Sequence, residues 1–389
     1  MEENPVKDAD QGLIPKREFI GLENIVHLCT GGESPVLKTH REAIDRFLAD
    51  KALGETSRKR MDDAVSRCKT KAGQLLGVAP EDIALLSSSS EGVNILVHGL
   101  EWNAGDNVVI CDVEFPSEII PWSILQKKGV DIRIVRNRNW YISLDDIRNA
   151  MDEKTKLVAI SSVSYFTGQR LSIEKLSQMV HENRALLLID ATHAAGVVPV
   201  EAKFADMLVS SCYKWLLATH GVAICYWNRD RLADLNPTFL GWHSAVSIPD
   251  WQEPLNFELR TDAGKFEPAN HSFISVYVLE NALNRILELG VPYIEKYILH
   301  LSGKLWEGLN DLGYEIMTPR NPEERAGNVC YMTDHIHKVT EWLADRGIRI
   351  WGGYAGVGRV RVSTHLYNTE EDVDKLLAAL KELPDSIKG

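Results

Sequence analysis

Seven short apolar runs punctuate the first three-fifths of the chain, at 83–86, 108–111, 132–135, 157–160, 186–189, 207–209 and 222–227. Each is too short for a helix and ordinary for a strand. Between most of them apolar residues recur at helical spacing, as at 91–99, 118–128, 144–150 and 173–182. Strands alternating with helices predict an α/β fold, a mainly parallel seven-stranded sheet between helices. Ligands in such sheets bind beyond the carboxyl ends of the strands. The chemistry is therefore to be sought where each apolar run gives way to polar residues.

Two of those ends stand out. The run 186–189 closes on Asp190, with His193 three residues on. The run 207–209 leads through Ser210, Ser211, Cys212 and Tyr213 to Lys214. An acid at one strand end and an amine just past the next suit pyridoxal 5'-phosphate. The amine bonds the cofactor's aldehyde carbon, and the acid keeps its pyridinium nitrogen protonated. Taken singly, Asp190 also reads as a turn or cap residue, His193 as a core histidine and Lys214 as a surface lysine. The apolar neighbours Trp215, Leu216 and Leu217 favour burial of Lys214, which lowers an amine's pKa and frees its lone pair. The run from Ser87 to Ser90 precedes a helical pattern. Hydroxyls and N–H groups at a helix start suit a phosphate, although a serine run alone also reads as a capped helix.

Past residue 264 the pattern changes to two long helical stretches, 273–289 and 292–312, then strands near 329–332 and 359–363. The expected organisation is an N-terminal arm (1–25) packing with the small domain, a large cofactor-binding domain (26–264) and a smaller C-terminal α+β domain (265–389). A net charge of −12 argues against nucleic acid or an anionic membrane as partner. No apolar run approaches the roughly 20 residues of a membrane span, and the polar residues 1–17 lack a signal-peptide core. Six scattered cysteines show neither C-x-x-C nor zinc spacing. Free thiols, no metal and a cytoplasmic location are the expectation.

Asp190-x-x-His193 followed by Ser211-Cys212-Tyr213-Lys214-Trp215 resembles the cofactor segment of class V aminotransferase-fold enzymes. That fold-type I group includes cysteine desulfurases, cystine and cysteine-conjugate C–S lyases, kynureninase and isopenicillin N epimerase-like proteins. The resemblance runs from His27 to Leu383. It implies that Ser89 and Ser90 bind the phosphate, with Ser211 and Tyr213, and that Phe115 stacks on the ring. Tyr165 falls where many members place an asparagine near the ring oxygen, which His193 would also approach. Lys265-Phe266-Glu267-Pro268-Ala269-Asn270 resembles the segment whose last residue reaches the partner subunit's phosphate. Asn270 would then complete the partner's active site in a homodimer, the commonest oligomer.

In 358–363 the alternation puts Arg359, Arg361 and Ser363 on one face of a strand. The family pattern selects Arg361 as the fork that grips an amino-acid carboxylate. Gly31 and Gly32 resemble the glycine pair of cystine lyases, as 236–242 resembles their Asn-Pro-Thr-x-x-Gly-Trp stretch. Desulfurases carry a nucleophilic cysteine shortly before the arginine, and 348–358 contains none. The implied activity is a PLP-dependent C–S β-elimination, with Lys214 as the base that takes the α-proton. An aminotransferase, epimerase or decarboxylase would share the first steps. A catalytically silent binding subunit would lack the lysine or the aspartate, and both are present. A dinucleotide enzyme would need a G-x-G-x-x-G that is missing.

Overall fold

The computed structural model describes residues 11–353, 356–384 and 387. Among them twelve strands form: Val26–His27 (β1), Ile83–Leu86 (β2), Asn107–Cys111 (β3), Asp131–Val135 (β4), Thr155–Ser161 (β5), Leu186–Asp190 (β6), Met207–Ser211 (β7), Ala223–Trp227 (β8), Asn328–Met332 (β9), Ile348–Arg349 (β10), Trp351–Gly352 (β11) and Arg359–Ser363 (β12). Seven of them make one sheet in the order β2-β8-β7-β6-β5-β3-β4. Only β8 runs against its neighbours β2 and β7; the β7-β6-β5-β3-β4 stretch is parallel throughout. The seven apolar runs of the sequence are these seven strands. Strands β2, β3, β7 and β8 are buried along their whole length. That explains their unbroken apolar sequence, since helices cover both faces of such a sheet.

The chain steps from β3 outward to β4 and then back across to β5 on the other side of β3. The loops after β3 and β5 therefore diverge and leave a crevice at the carboxyl edge. Helix Ser89–Gly99 follows β2 and starts at the same edge, capped by the Ser88 side chain, which accepts from the Glu91 N–H. The segment 118–128 departs from the single helix its periodicity predicts. It forms a short helical turn at Pro116–Ile119 followed by a 3-10 helix at Ile120–Lys128. Pro121 lies inside the predicted helix, where it removes a backbone donor and disfavours a continuous α-helix, whereas Pro116 stands at a first helical position that tolerates it.

Beyond the long helices Phe273–Leu289 and Val291–Asp311, a second sheet of order β11-β12-β9 packs on helices Ile336–Asp345 and Glu370–Lys381. A capping box starts the latter, Thr369 accepting from the Asp372 N–H and Asp372 from the Thr369 N–H. Val26 and Leu28 share this second core, and the Leu13 and Ile14 N–H groups donate to Leu366 O. Residues 1–10 of the expected arm lie outside the described residues.

Candidate active site

The carboxyl ends of β2, β5, β6 and β7 surround a cavity of about 110 Å³. Ser89, Ser90, Phe115, Tyr165, Asp190, His193, Ser211, Tyr213 and Lys214 all line it. The structure thus brings together nine residues drawn from five separate stretches of sequence. A larger cleft of about 850 Å³, bordered by Tyr141, Arg170, Glu295 and Glu324, gathers no such set. Its Arg170 and Tyr141 are already bonded to Glu295 and Glu324.

At one end of the cavity lies a cradle of hydroxyls. Ser89 and Ser211 share a 2.8 Å hydrogen bond, and the Ser90 hydroxyl donates to Ser117 at 2.8 Å. The N-terminus of helix Ser89–Gly99 supplies free N–H groups beside them. Ser88, from the serine run, also lines the cavity, as do Ser117, Ser161 and Thr192, for which the sequence reading assigned no role. Ser117 was within reach of it, since Phe115-Pro116-Ser117 places a hydroxyl at a turn start directly after β3.

Asp190 sits at the opposite end, on the last position of β6. It is buried, and one carboxylate oxygen accepts from the Thr192 N–H at 2.7 Å. Burial raises its pKa, while the Thr192 bonds and the Lys214 charge pull it back. A buried acid with no guanidinium partner among the described residues suits a cationic ring nitrogen. Lys214 is equally enclosed, and its Nζ lies 5.2 Å from the centre of the Phe115 ring. Burial first, then the charge of Arg361, push its pKa down to about 8. Near neutral pH a useful fraction of the amine is therefore unprotonated. Phe115 meets Tyr165 edge to face at 5.1 Å, so the two rings form one wall. Beneath it the Nε2 of His193 is buried with no hydrogen-bond partner. An orphaned ring nitrogen, an unpaired acid, a depressed lysine and a hydroxyl cradle around one cavity fit pyridoxal 5'-phosphate.

Arg361 and Gly31 lie on the small-sheet side. A Cβ at Gly31 would stand 2.9 Å from the Arg361 Nε and 2.8 Å from the Ser363 hydroxyl, so only glycine lets this loop rest against the arginine. Arg361 and Arg359 both donate from NH1 to the Tyr165 carbonyl, at 3.1 and 2.8 Å. Both are buried. Asn270 is not brought to the cavity of its own chain. It is exposed, and its Oδ1 accepts from Arg58 at 2.8 Å.

The Cys29 Sγ stands 3.4 Å from His27 Nε2, and His27 Nδ1 lies 2.7 Å from the Tyr367 hydroxyl. That is the outline of a nucleophile with an oriented base. Burial, however, pushes the thiol up to about 12 and the imidazole down to about 4. Both shifts oppose proton transfer from the thiol to the imidazole. The pair is not an activated thiol.

Two further carboxyls stand behind Asp190. Glu114 accepts from the Ser161 N–H at 3.0 Å and from its hydroxyl, and burial raises its pKa to about 7. Glu118 is wholly buried and neither carboxylate oxygen has a partner. Burial, with the charges of Asp190 and Glu114, raises its pKa well above 4.5. A group that keeps its proton in the fold but loses it unfolded costs stability as pH rises above the unfolded value. Glu118→Gln should therefore gain on the wild type by about 1.4 kcal/mol per pH unit above ~4.5, for as long as Glu118 stays protonated. Urea unfolding at pH 5 and pH 8 measures this. Parallel pH dependences for the two proteins would mean that Glu118 is ionised in the fold.

Comparison with known proteins places this geometry. A family model described as aminotransferase class-V matches residues 35–376. A probable cysteine desulfurase of Methanothermobacter thermautotrophicus is 25% identical over 371 residues, covering 90% of this chain and 91% of the relative. The apo structure of a cysteine desulfurase from Thermococcus onnurineus NA1 superposes with a TM-score of 0.86 at 23% identity, over 94% of this chain and 96% of that one. The cystine C–S lyase C-DES, solved with cysteine persulfide, gives 0.85 at 23% identity, over 94% and 99%. These two share the fold. No helix among the described residues is long and apolar enough to cross a membrane.

Proposed function

The chain belongs to the aminotransferase class-V family and is a pyridoxal 5'-phosphate-dependent enzyme of the cysteine desulfurase-like group, and on that premise we propose that it cleaves a C–S bond. The substrate class is cysteine, cystine or an S-conjugated cysteine, and the products are pyruvate, ammonia and the sulfur leaving group. One observation carries this reading. Among the described residues the cavity holds a single amine, Lys214, and no thiol, so a proton can be moved there but sulfur has no protein acceptor.

When bound, the cofactor supplies an electron sink for the α-carbon. The chain's own residues do the rest. Arg361 receives the substrate carboxylate and so fixes the α-carbon relative to the ring. Lys214, freed by the incoming amine, takes the α-proton on Nζ; its depressed pKa suits a base working near neutrality. Asp190 holds a proton on the ring nitrogen, and the Ser89, Ser90 and Ser211 hydroxyls anchor the phosphate. Phe115 holds the ring face and, unlike a histidine, neither gives nor takes a proton. With no acceptor thiol, the bond from the β-carbon to sulfur breaks by elimination.

Purified enzyme incubated with cysteine, cystine and S-conjugated cysteines should release pyruvate and ammonia in equal amounts. Pyridoxamine phosphate without pyruvate would replace this reading by transamination. We further infer a homodimer, in a reducing cytoplasmic setting that suits six free cysteines. Between β8 and residue 263 the side chains of Phe239, Ile248, Trp251, Leu255 and Phe257 are exposed, more apolar surface than one segment of a monomer ordinarily leaves in water. A second copy would cover it and receive Asn270 at its phosphate. Sedimentation should give twice 43.7 kDa; a monomer at micromolar concentration would refute the pairing.

A further inference from the structure

The surroundings of His193 fix where its proton sits. Two nitrogens approach Nδ1: Trp215 Nε1 at 3.1 Å and Asn328 Nδ2 at 3.0 Å. An indole N–H can only donate. Nδ1 must therefore offer its lone pair, and in a neutral imidazole the proton is then on Nε2. The same donor settles the Asn328 amide. Were it turned round, its carbonyl would call for a proton on Nδ1, against the indole N–H. In the orientation present, Asn328 Oδ1 accepts from the Ser363 hydroxyl at 2.8 Å, and both ends of the amide are satisfied.

Burial, followed by the charges of Lys214, Arg361 and Arg359, keeps the imidazole neutral by holding its pKa well below 6.5. A second proton on Nδ1 is thus refused by charge as well as by geometry. What remains is one N–H, on Nε2, buried, without a partner and on the wall of the cavity. A buried donor left unmade costs about 1–3 kcal/mol, so it is retained for something that enters.

We propose that Trp215 and Asn328 are positioning residues that lock His193 as its Nε2–H tautomer and aim that donor at the ring oxygen of the cofactor. The aim at the ring oxygen rests on the cofactor reading above; the tautomer does not. Asn328 also carries the lock to the substrate side. Its carbonyl holds Ser363, on the strand of Arg361, and both Ser363 and Asn328 press on Gly31. The donor to the cofactor and the grip on the substrate thus share one amide.

The test is a nitrogen NMR spectrum of the apoprotein with labelled histidine, followed from pH 6 to 9. His193 should show a bare Nδ1 and a protonated Nε2 throughout, and Nε2 should shift when pyridoxal 5'-phosphate is added. Trp215→Phe combined with Asn328→Asp replaces both donors by one acceptor and should move the proton to Nδ1. In that variant the cofactor's absorbance should change with pH at a higher midpoint, because the ring oxygen has lost its donor. Trp215→Phe alone should give a mixture of tautomers. A proton on Nδ1 in the wild type would overturn the proposal, whatever the variants do. So would an Nε2 signal that stays put while the protein takes up cofactor. Failure to take up any cofactor would refute the functional reading instead, leaving the tautomer supported by the apoprotein spectra.

Discussion

Lys214→Ala should lower the rate of substrate turnover by at least about 10⁴-fold, since a positioned general base alone contributes about 10²–10⁴. The variant also loses the covalent anchor, so the visible absorbance of the bound cofactor should disappear and reduction with borohydride should no longer fix it to the chain. Collapse of the fold is not expected to produce these losses. In the native apoprotein the Lys214 pKa falls from 10.5 to about 8. Below pH 8 the buried amine is charged, and that shift costs the fold about 3 kcal/mol. That penalty fades as pH rises from 8 to 10.5, because the unfolded chain then binds more protons than the folded one. Removing the amine relieves it, against the loss of packing around the side chain. The apo variant should therefore be no less stable than the wild type near pH 7. A variant that retains covalent cofactor would show that another amine holds it.

Asp190→Asn tests the other end of the cavity and should separate binding from chemistry. Asparagine keeps the size and can still accept from the Thr192 N–H, but it offers the ring nitrogen no negative charge. Leaving a buried charge without its partner costs about 3–5 kcal/mol, equivalent to about 10²- to 10⁴-fold in rate. The variant should still bind the cofactor through Lys214 and keep its visible absorbance, while kcat falls by that factor. Turnover within a few-fold of the wild type would mean that Asp190 does not face the ring nitrogen.

The strands were legible because burial on both faces leaves unbroken apolar runs, and Asp190 and Lys214 were legible because each stands where such a run ends. Arg361 followed from strand alternation combined with a family pattern. The environment of His193 was not legible. Asn328 lies 135 residues away along the chain, and nothing local to it marks an amide shared between two elements. Trp215 was readable as a sign of burial, but the direction of its N–H is a rotamer, set by packing rather than by sequence. Glu118 was not legible for a related reason. Helical spacing over 118–128 says nothing of where its first side chain ends up, and with Pro121 ending the turn it lies buried near Asp190. Asn270 shows a further limit: its surroundings within one chain are solvent and Arg58, so its proposed use depends on a second copy.

The two arginines of β12 have a consequence for selection. Arg359 and Arg361 are buried side by side, share one carbonyl acceptor, and pair with no acid among the described residues. Burial first, then the charge of Arg359, push the Arg361 pKa down to about 10. The resting protein thus carries an unbalanced positive potential beside its reactive amine. Any small anion that fits relieves it, and a neutral analogue of the same shape does not. If Arg361 receives the substrate carboxylate as proposed, selection begins with charge, before any bond is made or broken, and simple carboxylates should compete for entry without ever reacting.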